Sequence, residues 1–131
     1  MRLIILWGLA TGVVIACVDA AAGEAARSLA NTDLRAAVEL VDLIVNLGLF
    51  GWAGFRVAAA LGELRPGLEA AVLAGGVAGL AGVVYQVARP TEPPAVDNLV
   101  ALVAWNIVLA AVAASLGAWA ANLRRLPPPP R

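Results

Sequence analysis

Val38 to Ala60 reads V-E-L-V-D-L-I-V-N-L-G-L-F-G-W-A-G-F-R-V-A-A-A. The stretch is apolar enough to enter a bilayer, yet it carries Glu39, Asp42, Asn46 and Arg56. At about 100° per residue along a helix, Arg35, Glu39, Asp42, Asn46, Leu49, Ala53 and Arg56 fall within roughly 60° of one line. Gly51 lies about opposite Asp42, flanked by Gly48 and Gly54. The helix therefore has a polar stripe and a smooth glycine face that admits a second backbone. With both faces occupied, it is expected in the middle of a bundle, with the other segments arranged around it.

Composition names the solvent. Of 131 residues, 62% are hydrophobic and 14% charged, against about half and about a quarter in soluble domains. A chain of this length has too little interior to hide the excess, so lipid is the solvent that fits. The net charge is zero, which leaves no basic patch for nucleic acid. The basic residues are all Arg, as in proteins of GC-rich genomes. The chain has no His and one Cys. That removes the commonest metal ligand and general base, and it excludes an intrachain disulfide.

Outward from this stretch, the first apolar segment runs from Leu3 to about Ala22 and carries Gly8, Gly12, Ala16 and Ala20 at intervals of four. Asp19, Glu24 and Arg27 mark its aqueous end, and the Ala-rich sequence allows the helix to continue to about Ala30. A cleaved leader is the competing reading, with Ala20-Ala21-Ala22 as cleavage site or Val14-Ile15-Ala16-Cys17 as a lipobox. The thin charged leader, Arg2 alone, and the three further hydrophobic segments favour a retained span. Asn31 or Thr32 caps the second helix, which runs from about Asp33 to Leu61 and stops at Gly62. Its longest uncharged run, Leu43 to Phe55, is short. It crosses a membrane only if neighbours cover Asp42 and Arg56 reaches the headgroups.

The third helix is expected from Pro66 to Ala88, with Pro66 at its first position, small-residue rows at Ala71, Gly75, Gly79 and at Ala74, Ala78, Gly82, and an end at Arg89-Pro90. A stiff loop from Thr91 to Val96 leads to the fourth, from Asp97 or Asn98 to about Leu123, uncharged from Asn98 onward. Pro127 to Pro130 form a non-helical tail. The fold class is thus all-α: an antiparallel bundle of four transmembrane helices with short loops. Residues 1–126 form one domain, with spans at about 3–22, 38–60, 68–88 and 98–121, and 127–131 form the tail. Both termini fall on one side. Arg2, Arg56, Arg65, Arg124, Arg125 and Arg131 share that side, against Arg27, Arg35 and Arg89 on the other, so the positive-inside rule puts both termini in the cytoplasm.

Asp42 is the sharpest candidate for chemistry, because an ionised carboxylate in hydrocarbon costs about 2.5–3.5 kcal/mol on insertion scales. It is expected one to two turns below the outer surface, with Arg35, Arg27 or Arg89 as partner. Together with Asn46, Glu39, Asn106, Gln86 and Arg89 it makes a candidate intramembrane polar cluster. Its functional use would be a proton or cation relay. Its structural use would be a hydrogen-bonded cluster that fixes helix register. Asp19 and Glu24 are expected on a solvated face, and Cys17 as a buried inert thiol. Trp7 and Trp119 suit interfacial anchors, and Trp52 and Trp105 suit packing. Gly8, Gly12, Gly48, Gly51, Gly54, Gly75, Gly79 and Gly82 are the expected helix-packing glycines. Gly75-Gly76-Val77-Ala78-Gly79 has no preceding strand and no Lys-Ser/Thr ending, so it is not a phosphate loop. No Ser-His-Asp set or paired carboxylates mark catalysis, metal or cofactor binding.

Small multidrug-resistance transporters share the four-helix size but have an essential Glu in the first helix, where this chain has no Glu before Glu24. Fluoride channels have an Asn followed by Gly in helix two, to which Asn46-Leu47-Gly48 is faintly similar, but their Gly-rich start with an Arg in helix one and their Thr/Phe/Ser-rich segment in helix three are missing. Across about Asp42 to Gly82 the chain resembles small bacterial four-helix membrane proteins with a glycine-rich centre, seen here as Gly51-Trp52-Ala53-Gly54-Phe55-Arg56 and Gly75-Gly76-Val77-Ala78-Gly79. The resemblance implies a bacterial inner-membrane setting and no particular activity. The expected function is that of a non-enzymatic assembly or accessory component without cofactors, packed through small-residue faces. Its partners are the lipid bilayer and a second copy or other subunits of a membrane complex, and not nucleic acid. The alternative is a small ion or cationic-solute transporter or channel using Asp42 and Asn46.

Overall fold

The computed structural model describes residues 1–88 and 96–124. Arg89, most of the loop before the fourth helix and the proline tail lie outside the described residues. The described chain forms four helices and no strand: α1 (Arg2–Ser28), α2 (Thr32–Leu61), α3 (Leu64–Ala88) and α4 (Val96–Leu123). The boundaries have local causes. Asn31 caps α2, its side-chain oxygen accepting from the Asp33 N–H at 2.8 Å and the Leu34 N–H at 3.3 Å. Gly62 ends α2 at φ 82°, a left-handed conformation that glycine adopts without a Cβ penalty. Its N–H donates to the Ala58 carbonyl at 2.9 Å. Helix α3 starts at Leu64, two residues before the expected Pro66. Pro66 is tolerated there because N–H groups in a first turn have no partner within the helix.

Helices α1 and α4 each pack on α2 and α3, and α2 and α3 pack on each other, whereas α1 and α4 do not touch. The centre is therefore an α2–α3 diagonal, not α2 alone. Glycine positions fix the directions. A Cβ added at Gly8 or Gly12 would meet the Ala70 or Ala74 carbonyl of α3 at 2.9 or 2.8 Å, so α1 and α3 run parallel. One added at Gly54 would meet Ala114 at 2.8 Å, and those at Gly75 and Gly79 would meet Asn106 and Val103 at 2.7 and 2.8 Å. Gly117 lies directly on the Gly51 backbone, and Gly82 faces Leu102. These approaches bring main chains closer than side chains would allow.

Gly48 departs from the expectation. Nothing lies within 4 Å of an added Cβ there. The buried face of α2 comprises Asn46, Phe50, Ala53, Gly54, Val57 and Ala58. On the helical wheel Gly48 falls roughly opposite Val57, so it points out of the bundle. The polar stripe and the bundle contacts share one broad face of α2, with Gly54 within it and Gly51 at its edge.

The interior is built mostly from alanine. Ala53, Ala70, Ala71, Ala74, Ala110, Ala114 and Ala118 are fully buried, while among the described residues the only large side chains equally buried are Phe50, Ile15 and Val57. Large apolar residues face outward instead: Leu6 is 65% exposed, Val84 67% and Leu116 64%. In water that surface would cost about 25 cal/mol per Å² left exposed. In hydrocarbon it costs nothing, and small residues inside let helices approach. All four helices are long and apolar enough to span a membrane, so the chain is a multi-pass integral membrane protein.

Candidate functional site

The α2–α3 diagonal is tight near its short connection, where an added Cβ at Gly67 would meet the Gly54 carbonyl at 2.6 Å. Toward the opposite end a cleft of about 510 Å³ opens among all four helices. Helix α1 contributes Ala16, Asp19, Ala20 and Arg27; α2 contributes Asp42, Leu43 and Asn46; α3 contributes Ala81, Gly82, Tyr85 and Gln86; α4 contributes Leu102, Trp105, Asn106 and Leu109.

Its polar end is a three-residue cluster. The Asn46 amide nitrogen donates to Asp19 Oδ1 at 2.6 Å and lies 3.5 Å from Asp42 Oδ2. One amide thus holds two carboxyl groups side by side across the α1–α2 contact. Asn46 is 7% exposed, and its own Oδ1 has no hydrogen-bond partner. Asp42 Oδ1 is likewise sealed from solvent and unpartnered. An unmade hydrogen bond at a buried polar atom costs about 1–3 kcal/mol, so two adjacent free acceptors call for a donor.

The expected arginine partners do not supply it. Arg35 donates through Nε to the Ala26 carbonyl at 3.2 Å and through Nη2 to the Leu29 carbonyl at 3.1 Å. These carbonyls close α1, and the last carbonyls of a helix lack partners within it. Arg27 instead pairs with Glu24 at 3.2 Å and donates to the Tyr85 hydroxyl, which in turn donates to Glu24 Oε1 at 2.9 Å. Arg27 also stacks on the Tyr85 ring, 5.1 Å from its centre. This group ties α1 to α3 at the rim of the cleft. Arg89 lies outside the described residues.

The other sequence candidates scatter. Asn106 is buried in the cleft wall, its amide donating back to the Leu102 carbonyl at 3.1 Å. Gln86 sits on the exposed rim. Glu39 is exposed and lines a smaller adjoining pocket with Arg35, Asp42 and Asp19. Cys17 is exposed on the outer face of α1 rather than buried. Trp52 and Trp105 are 53% and 58% exposed, so neither is a packing residue. Trp52 stacks on Phe55 with ring centres 5.9 Å apart, and Arg56 lies over Trp7 and Trp52.

Asp19 is the member that sequence reasoning placed wrongly, on a solvated face. The signal was present. Gly8, Thr11, Gly12, Ile15 and Ala26 are the buried residues of α1, and Asp19 lies four residues after Ile15 on the same face. The antiparallel fold-back through Asn31 then sets it opposite Asp42 and Asn46.

No protein-family model matches the chain, and no curated protein or solved structure shows significant similarity to it. The class follows from the architecture alone: a small membrane protein of four helices with a polar cleft between them.

Proposed function

We propose that the chain is a small transporter or channel for a cation or cationic solute, with Asp19, Asp42 and Asn46 as the binding end of the cleft. One observation carries this reading. Two carboxyl groups sit side by side within a membrane-spanning bundle, no Arg among the described residues forms an ion pair with them, two buried oxygens of the group are left without a hydrogen bond, and all three side chains line one cleft. An intramembrane acid is retained with a partner, with water or with a substrate, and a cation is what this geometry accepts. The role is non-catalytic, in a bacterial inner membrane with both termini cytoplasmic, following the arginine distribution. The cleft then opens toward the outer side, where α1 turns into α2.

The assembly reading drew on small-residue rows beyond the needs of one bundle. Gly8, Gly12, Gly54, Gly75, Gly79 and Gly117 meet other helices of the same chain, and Gly48 and Gly76 alone face open space among the helical glycines. These glycines are thus engaged within a single bundle, which supports the transport reading over assembly. Proteoliposome flux tests the transport reading. Uptake of a cationic solute that Asp42→Asn abolishes, in protein that still folds, is the expected result. Absence of flux for alkali cations, amines and quaternary ammonium compounds alike defeats it.

A further inference from the structure

The cleft offers acceptors of a particular number and kind. An ionised carboxylate only accepts hydrogen bonds, and an amide oxygen only accepts. The Asn46 amide nitrogen is committed to the two carboxyl groups, which fixes its Oδ1 as the end left free. Two unpartnered acceptors, Asp42 Oδ1 and Asn46 Oδ1, therefore lie beside the Asp19 carboxyl group at one end of the cleft. A primary ammonium has three N–H donors. A quaternary ammonium has none.

A metal ion fits less well. No group of three His, Cys, Asp or Glu side chains assembles for one among the described residues. Calcium takes about six to eight oxygen ligands, and here two carboxyls and one amide oxygen are grouped. The cleft is also far larger than one ion requires. Its volume of about 510 Å³ lies in the range of small-molecule sites, about 300–1,000 Å³. Beyond the polar end Leu43, Leu102, Trp105 and Leu109 give its walls an apolar stretch that suits an apolar body, with Arg27 and Tyr85 at the rim.

We infer that the cleft binds a primary ammonium group carried on an apolar body, the ammonium held by Asp19, Asp42 and Asn46. The inference rests on the cleft being a cation site and names the class of cation. The same headgroup chemistry occurs in a free amine and in phosphatidylethanolamine, and both would satisfy the site.

The test uses the full chain in nanodiscs of phosphatidylcholine, titrated with phenethylammonium, its N-trimethyl analogue and sodium ions by calorimetry. Phenethylammonium is expected to bind at least about tenfold more tightly than the trimethyl analogue, and Asn46→Ala is expected to erase that preference. A second set of nanodiscs containing phosphatidylethanolamine separates the sources. Weakened amine binding there identifies the lipid headgroup as occupant, and unchanged binding identifies a free amine. Equal affinity for the two organic cations overturns the ammonium assignment while the cation site stands, as does binding of sodium alone. If no cation binds the wild-type protein, both the assignment and the cation site fail. The ligand comparison is made on the unmutated chain, so it holds even if Asn46→Ala does not fold.

Discussion

At the scale of single residues, Asn46 is the hinge of the cleft. Its amide nitrogen bridges two carboxyls that belong to different helices, and its oxygen is buried without a hydrogen-bond partner. Asp42→Asn removes one negative charge and keeps the shape. Breaking a like-charge pair in a low dielectric relieves repulsion, so stability in detergent should hold or rise by about 1–2 kcal/mol, measured by unfolding in a mixed-micelle titration. A large loss would show that Asp42 is held by a structural partner instead. Glycine positions give a second contrast. At Gly75 a Cβ would sit 2.7 Å from the Asn106 carbonyl and 2.9 Å from the Ala110 methyl, so Gly75→Ala must push α3 from α4. The cost is about 1–3 kcal/mol, as for other overpacked sites. Gly48→Ala enters open space and should be neutral or stabilising by about 0.5–1 kcal/mol from helix propensity. The same titration reads both, and equal effects would refute the assigned faces of α2 and α3.

At the scale of elements, the short link between α1 and α2 governs the site, because it sets Asp19 opposite Asn46. That link is closed from both sides. Asn31 caps α2, and Arg35 reaches back to the Ala26 and Leu29 carbonyls. Asn31→Ala should cost about 1 kcal/mol, with Asn31→Asp restoring most of it. Gly62→Ala places a Cβ at φ 82° and should cost about 1–2 kcal/mol through left-handed strain. Thermal unfolding followed by circular dichroism measures both. The helices themselves were legible in the sequence. Asn31, Gly62 and the uncharged run from Asn98 to Leu123 act locally, on hydrogen bonds and hydropathy within one segment. The start of α3 was misjudged by two residues, since a proline fits several positions of a first turn.

At the scale of the whole molecule, the inside is small and the outside is oily. Alanine and glycine bring the backbones together, while leucine, valine and tryptophan face the solvent. Such a body needs lipid or detergent, and removal of detergent should precipitate it. Its orientation is open to a labelling test in a Cys17→Ala background. With both termini cytoplasmic, Asn31→Cys should react with an impermeant maleimide added outside intact cells, and Glu63→Cys should not. The reverse pattern would invert the orientation and with it the side on which the cleft opens.

Composition and periodicity alone gave four apolar helices, the Asn31 and Gly62 caps of α2, and the place of Asp42 within its apolar length. Each is a property of one segment, and hydropathy and capping act over a few neighbouring residues. Only the folded bundle decided that Asp19 joins Asp42 at one amide, that Arg35 turns away to helix-end carbonyls, that Gly48 faces outward, and that α3 shares the centre with α2. Those outcomes depend on how each helix is rotated about its own axis against its neighbours. Rotation is set by the summed packing of many small contacts, which no single stretch of chain encodes.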